Sequence, residues 1–257
     1  MNVSGKANIT APHIWNAKDY IIDGLVEIWD GIENVEYGKH SNTTTVWKGL
    51  LGKIDLSLVG DNVSWAQDHV YGMRDNNSYF QNMSVSSDLT DVFRGSCKGL
   101  TMEVVANYTR TGWESVFDFW PKYTDGSTGW MILPYSDRRL QVMLCQNVYG
   151  VVSTSFFPDD NRVSLCSISV KYGEQAKTYC NSVFKGSIST SPQNGVLKGQ
   201  AFQKFILGGK ANNGTYPMFG GHMHCLRLYS KPLSEEEIAW NFNVDKERFN
   251  LVEEVSK

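Results

Sequence analysis

One stretch of the sequence combines flat aromatic rings with charged side chains, which is the combination that carbohydrate binding requires. A sugar ring stacks on an exposed aromatic face, and nearby carboxylates, amides or a guanidinium bind its hydroxyl groups. Strand alternation points Trp113 and Trp120 to opposite faces, so at least one of them is a candidate for exposure. The alternative is that these tryptophans are packing residues. The candidate ligand-binding residues are Trp113, Trp120, Tyr123, Trp130, Tyr135, Asp118 and Arg138.

Two histidines, His222 and His224, are separated by a single residue. In a strand both imidazoles would point to one face, where they could bind a transition metal together. The sequence shows no third ligand. We therefore interpret the pair as polar strand residues near a sheet edge and predict no metal site.

Carboxylates are the other groups that could do chemistry, since a retaining glycosidase needs two of them about 5–5.5 Å apart. The carboxylates within Glu27–Glu33 have the wrong spacing, and Glu114 with Asp118 is a lone pair of the kind common on solvated edges. The chain has no Gly-x-Ser-x-Gly elbow and no phosphate-binding glycine loop. We predict no catalytic residues and expect that the protein is not an enzyme; a glycoside hydrolase is the alternative.

The composition excludes several classes of protein. The chain has 257 residues, a net charge of −3, 12% aromatic residues and only 20% charged residues. It is too aromatic for a disordered chain, and it lacks the positive charge of a nucleic-acid-binding protein that relies on contacts with the phosphate backbone. No apolar run approaches the roughly 18 residues of a membrane span. The five cysteines include no CxxC pair, which favours buried thiols, and the polar start predicts no secretory signal.

The elements that must position these residues are mostly strands. Apolar residues alternate in Leu100–Tyr108, which predicts a strand with one face on a core. The best helix begins at a capping box, Ser234–Glu237, and is expected to cover about 234–249. This pattern predicts an all-β sandwich over residues 20–257 with a short C-terminal helix, preceded by an N-terminal arm of residues 1–19. Further strands are predicted at Glu114–Trp120, Gly129–Leu133, Leu140–Cys145, Val163–Lys171, Lys177–Val183, Lys204–Leu207 and Met223–Tyr229.

The stretch Phe219–Ile238 resembles the last strand of laminin-G-like, concanavalin A-like jelly-roll domains. Phe205–Gly209 and Lys177–Asn181 are similar to two earlier strands of that family. The resemblance covers about residues 98–240 and implies a concanavalin A-like jelly-roll β-sandwich. The matching residues of the last strand and helix start are Met223, Leu226, Arg227, Leu228, Tyr229, Leu233, Ser234, Glu237 and Ile238.

A second resemblance lies in Tyr20–Asn34, Gly38–His40 and Trp47–Gly52. Their order and spacing are similar to the opening of laminin-G-like domains in phage and prophage structural proteins of gut bacteria, with departures at Ser41 and at Lys48-Gly49. The resemblance implies a virion surface, with a bacterial cell surface or secretion as alternatives. The residues expected to pack in this region are Trp29, Trp47 and Trp65.

Together the resemblances imply a binding or decoration module that contacts glycans or neighbouring subunits. The expected partners are other virion or cell-surface proteins and glycans, without nucleic acid or membrane. A purely structural, self-assembling homo-oligomer is an alternative. Relatives often bind calcium through Asp and Asn oxygens. The weak Ca²⁺ candidates here, Asp159, Asp160 and Asn161, belong to types that commonly form turns, so we predict no cofactor, with Ca²⁺ as the alternative.

Overall fold

The computed structural model describes residues 14–33, 43–60, 63–72, 79–82, 92, 98–108, 117–121, 130–134, 139–144, 148–155, 157–158, 160–188, 202–207 and 220–253. In the strands between residues 117 and 155 only the backbone is described. A 3₁₀ turn at Ala17–Asp19 comes first, and the helix α1, Glu235–Phe249, comes last. Between them the described strands, β1 to β16 in chain order, are Leu25–Asp30, Val46–Trp47, Leu56–Val59, Val63–Trp65, Val70–Gly72, Tyr79–Asn82, Gly99–Tyr108, Phe117–Pro121, Trp130–Pro134, Arg139–Leu144, Val148–Ser155, Ser164–Lys171, Ala176–Cys180, Val183–Ile188, Phe202–Leu207 and Gly221–Tyr229.

The strands form two antiparallel sheets of eight strands each. The first sheet has the order β14-β13-β12-β7-β16-β5-β4, and β1 pairs with the part of β16 that β5 leaves uncovered. The second sheet has the order β11-β10-β9-β8-β15-β6-β3-β2. Apolar residues from both sheets form one buried cluster between them. The predicted all-β jelly-roll sandwich with a short C-terminal helix is confirmed.

Strand β7 explains how the layers stack. The predicted alternation is confirmed, because the residues of one face are buried in the core between the sheets. The opposite face is buried as well, with Thr101, Glu103 and Val105 at most 1% exposed. The strand is therefore not half-buried as predicted, since α1 and the N-terminal segment cover its outer face. The core-facing residues are Leu100, Met102, Val104, Ala106 and Tyr108.

The tryptophans of the N-terminal region are core residues, as expected. Trp29 and Trp47 are fully buried, and the Trp47 ring packs edge to face on Trp65 with centroids 5.3 Å apart. Cys166 and Cys180 are buried thiols in the same core, which fits the expectation for cysteine. Cys225 is a buried thiol beneath α1; Cys97 and Cys145 lie outside the described residues.

Helix α1 begins at the predicted capping box. The Ser234 hydroxyl accepts a hydrogen bond from the Glu237 amide at 3.2 Å, and the Glu237 carboxylate accepts one from the Ser234 amide at 2.9 Å. The Trp240 indole donates to the Asp19 carbonyl oxygen, which ties the N-terminal segment to the helix. Within the described ranges no helix is long and apolar enough to cross a membrane. The domain boundary at residue 19 stays a prediction.

Removing the cap should loosen the helix measurably. We expect Ser234→Ala to lower the free energy of unfolding by about 1 kcal/mol, because the Glu237 amide loses the hydroxyl that accepts its hydrogen bond. Urea denaturation followed by tryptophan fluorescence measures the change. Ser234→Thr keeps the hydroxyl and serves as the control, and an unchanged denaturation midpoint in Ser234→Ala would contradict the prediction.

Beneath α1 lies a buried network of ion pairs, which we call the polar core. Arg227 on β16 donates from Nε to Glu103 on β7 at 2.8 Å and binds Asp245 on α1 through both terminal nitrogens, at 2.8 and 2.6 Å. The Tyr20 hydroxyl donates to Asp245 at 2.6 Å. All three charged side chains are fully buried. The helix is therefore fixed to the first sheet by directional polar contacts as well as by apolar packing.

Candidate functional site

The three predicted carbohydrate-binding residues that the structure describes, Asp118, Trp120 and Trp130, divide between the two faces of the second sheet. Phe205 on β15 is buried in the core, its register partner is Phe119 on β8, and the partner of Phe119 is Trp130 on β9. Residues directly opposite each other on neighbouring strands share a face. Trp130 therefore occupies a core-face register position. Trp120 is the next residue of β8 after Phe119 and falls on the outer face.

Asp118 shares that outer face with Trp120. The register partner of Asp118 is Ile206, followed across the sheet by Gln81 on β6 and Ser57 on β3. Ser57 has an exposed side chain, so this row lies on the solvent face of the sheet. Alternation alone left open which tryptophan faces outward, and the register assigns that position to Trp120.

Other predicted site residues are only partly described. Asp160 accepts a hydrogen bond from the Arg162 amide at 3.2 Å, and Asn161 has a left-handed backbone with φ of 57°. These two candidate calcium ligands therefore shape a turn, and the absence of a cofactor, with Ca²⁺ as the alternative, stays a prediction. The candidates outside the described residues are Trp113, Tyr123, Tyr135, Arg138 and Asp159.

The N-terminal carboxylates make structural contacts. Both oxygens of Glu27 accept hydrogen bonds from backbone amides, and Asp30 is bound by the Arg248 guanidinium at 2.6 and 3.0 Å. Both carboxylates are fully buried. Burial raises the pKa of Glu27, and the backbone hydrogen bonds offset this only in part.

A third histidine joins the pair that the sequence singled out. His69 lies in the turn between β4 and β5, and its ring stacks on His222 with centroids 4.3 Å apart. The His69 and His224 rings are 4.8 Å apart between centroids. One ring nitrogen from each histidine lies within 4.8 Å of those of the other two. We call His69, His222 and His224, with Asp68, the histidine cluster.

Local backbone features bring the histidine cluster together. The register between β16 and β7 shifts between Met223 and Cys225, so His224 is the extra residue of a β-bulge. Strand alternation places His224 on the outer face with His222, and the extra residue puts Cys225 on that face as well. A Cβ on Gly31 would collide with the backbone oxygens of Asp68 and His224, so glycine allows this close approach.

The expectation that the histidines lie near a sheet edge is wrong. Strand β16 has β7 on one side and β5 with β1 on the other, because the N-terminal strands extend the sheet beyond it. His224 is only 4% exposed, and the Phe249 ring covers it at a centroid distance of 5.5 Å. The third histidine, His69, was not predicted from the sequence. Its signal there is the Asp68-His69 dipeptide in a turn between two short strands.

Asp68 links two of the imidazoles. Its Oδ1 lies 2.7 Å from Nδ1 of His69, and its Oδ2 lies 3.4 Å from Nδ1 of His224. The second contact is close but not aligned as a hydrogen bond, and neither ring nitrogen of His224 is hydrogen-bonded to any residue that the structure describes. The neighbouring His224 and His69 hold the pKa of Asp68 well below its ordinary value. Burial, and then the adjacent histidines, lower the pKa of His222.

The sequence and the fold agree on the family. Residues 83–239 match a laminin G-type family model described as the concanavalin A-like lectin/glucanases superfamily. This match covers more than half of the chain, so the protein belongs to that superfamily. Residues 20–52, on which the expected likeness to phage and prophage proteins rests, lie outside the matched range. A comparison with curated proteins gave no match.

Solved structures with the same fold include sialidases and a toxin domain. Trypanosoma rangeli sialidase in complex with sialic acid matches with a TM-score of 0.61 and 12% identity over 87% of this chain. The binding domain of botulinum neurotoxin DC in complex with SialylT matches with a TM-score of 0.60 and 11% identity over 86% of the chain. The chain covers only 33% of the sialidase and 51% of the neurotoxin chain. At these identities the likeness shows the fold alone.

These matches correct one expectation. The prediction that the protein is not an enzyme is contradicted, because the structures that share its fold include sialidases, among them a mutant with trans-sialidase activity. The lack of a suitably spaced carboxylate pair, a serine elbow and a phosphate-binding loop excludes only the enzyme types that use those motifs. The fold therefore gives no ground for excluding catalysis.

Proposed function

We propose that this chain is a carbohydrate-binding domain whose site is the outer face of the second sheet around Trp120. The observation that carries the proposal is the pairing register, in which Trp120 and Asp118 fall at outer-face positions two residues apart on β8. A solvent-facing indole can stack on a sugar ring, and a carboxylate beside it can accept hydrogen bonds from the sugar hydroxyls.

Acidic sugars are the first ligands to test. Lys204 occupies the register position opposite Trp120, and a residue of positive charge there favours a sugar that carries a carboxylate. The sialidase and neurotoxin structures with this fold contain sialic acid and SialylT respectively, which supports the same choice.

The test is a glycan array that includes sialylated glycans, followed by calorimetry with the best ligand. We expect Trp120→Ala to weaken binding at least about fivefold, because stacking on one aromatic ring contributes of the order of 1 kcal/mol or more. Trp240, a half-exposed residue of α1 on the other sheet, supplies the control, and Trp240→Ala should bind as the wild type does. Equal binding by Trp120→Ala would contradict the proposal. The same ligands are followed for product release, since sialidases share the fold.

The surface on which the domain acts is the second part of the proposal. The likeness of residues 20–52 to phage and prophage structural proteins supports a virion surface or fibre, where the domain contacts glycans and neighbouring subunits. Mass spectrometry of purified particles from a host that carries the gene should detect the chain. Its absence from particles, with recovery from the cell surface or the medium, would contradict this location.

A further inference from the structure

The histidine cluster has the composition of a transition-metal site. Three imidazoles converge from one strand, β16, and from the turn before β5, and one ring nitrogen of each lies within 4.8 Å of those of the other two. Neutral imidazole is the preferred protein ligand of zinc and its neighbours in the first transition row. From this arrangement we propose that His69, His222 and His224 bind one divalent transition-metal ion of the zinc type.

Asp68 is the residue that orients the ligands. Histidines that bind metals almost always contact a carboxylate or carbonyl through the other ring nitrogen, which fixes the ring and its tautomer. Asp68 contacts Nδ1 of His69 at 2.7 Å and approaches Nδ1 of His224 at 3.4 Å. One carboxylate thus faces the same nitrogen in two rings, so Nε2 is the atom that each of these rings presents to the metal.

His224 supplies the independent observation that points to a ligand. Its ring is only 4% exposed, and neither nitrogen has a hydrogen-bond partner among the residues that the structure describes. A buried polar atom without a partner costs about 1–3 kcal/mol. Bonding to a metal through one nitrogen, with the other aligned on Asp68, satisfies both atoms of the ring.

The geometry favours a small ion with nitrogen ligands and an open coordination position. Tetrahedral zinc, with bonds of about 2.1 Å, requires ligand nitrogens about 3.4 Å apart, so the rings move inward when the ion binds. Three protein ligands leave the fourth position for water or another donor. His69 and His222 are half-buried, which gives the ion access from solvent, while Phe249 closes the side next to His224.

The metal site and the proposed sugar site are independent. The histidine cluster lies on the outer face of the first sheet, and Trp120 falls on the outer face of the second, with the core between them. Removing the metal should therefore leave glycan binding unchanged, and failure of one proposal does not decide the other.

The experiment uses the full chain without a histidine tag, treated with a chelator and then titrated with Zn²⁺ in a calorimeter. We expect one ion per chain and a rise in the melting temperature. Co²⁺ should give the visible absorption bands of a tetrahedral nitrogen site. His222→Ala and His69→Ala should weaken Zn²⁺ binding at least a hundredfold, and Asp68→Asn should weaken it 10–100-fold, as expected for an orienting carboxylate.

The controls separate this site from other imidazoles and from misfolding. His40→Ala removes a histidine that is not one of the three proposed ligands and should bind Zn²⁺ as the wild type does. The melting temperature of each variant without metal shows whether it is folded, and replacement of half-buried His69 or His222 should disturb the fold less than replacement of buried His224. Equal Zn²⁺ binding by His222→Ala and wild type would overturn the proposal. So would the absence of binding at micromolar Zn²⁺, which would indicate that water satisfies His224.

Discussion

Replacing Arg227 with Met is expected to lower the free energy of unfolding by about 3–5 kcal/mol. The guanidinium is fully buried and donates three hydrogen bonds to Glu103 and Asp245, at 2.6 to 2.8 Å. Without it, two carboxylates remain in the protein interior with their main cation removed. Urea denaturation followed by tryptophan fluorescence measures the loss.

The charge of Arg227 is expected to persist at alkaline pH. Burial alone would lower the pKa of Arg227, but the carboxylates of Asp245 and Glu103 outweigh it and hold that pKa well above its ordinary value. The contribution of Arg227 to the free energy of unfolding should therefore not decrease at alkaline pH. Arg227→Lys keeps the charge but cannot make the same fork of hydrogen bonds, so it should fall between wild type and Arg227→Met.

A compensated variant distinguishes lost charge pairing from lost volume. In Arg227→Met combined with Glu103→Gln and Asp245→Asn, no unpaired carboxylate remains at these positions and the amides can still accept hydrogen bonds. We expect this triple variant to recover more than half of the loss. A triple variant no more stable than Arg227→Met, or a single variant that loses less than about 1 kcal/mol, would contradict the argument.

The parts of the fold that could be predicted from the sequence are those with a local signal. Alternation over the ten residues of β7 and the Ser234–Glu237 box of α1 both depend on neighbours in the chain. Strands β2 to β6 contain only two to four residues each, too few for a period to emerge. The burial of Glu103 depends on α1, which lies more than a hundred residues later in the chain, and no pattern within β7 predicts it.

The candidate sites follow the same division. Alternation indicated that Trp113 and Trp120 face opposite ways, but the outward position of Trp120 required the cross-strand register to buried Phe205. The His222 and His224 pair was visible in the sequence, whereas His69 reaches it only because β5 pairs with β16. The β-bulge at His224 is likewise a property of two paired strands.

Replacing Glu27 with Ala is the other change with a large expected effect, and it should lower the free energy of unfolding by about 3–5 kcal/mol. Glu27 lies on β1, and its two oxygens accept hydrogen bonds from four backbone amides at 2.9 to 3.0 Å, three of them in the segment 51–54. Alanine leaves those amides without their acceptor and frees the segment whose Ile54 carbonyl oxygen accepts a hydrogen bond from the Trp29 indole. Urea denaturation measures the loss. In the same region Asp55 accepts one hydrogen bond at an exposed position, so Asp55→Ala is the matched control and should lose less than about 1 kcal/mol.

The pH dependence separates the charge of Glu27 from its hydrogen bonds. Burial raises the pKa of Glu27 in the folded protein above its ordinary value of 4.5. The unfolded chain therefore releases this proton first as pH rises, and wild-type stability falls from about pH 4.5 up to the folded pKa. Glu27→Gln retains an acceptor oxygen but cannot ionise. Its free energy of unfolding should therefore decrease by less than half as much as that of Glu27→Ala, and it should not show the decrease in stability with pH that ionisation of Glu27 causes. A difference between wild type and Glu27→Gln that widens as pH rises would mean that the four amides stabilise the carboxylate more than burial destabilises it.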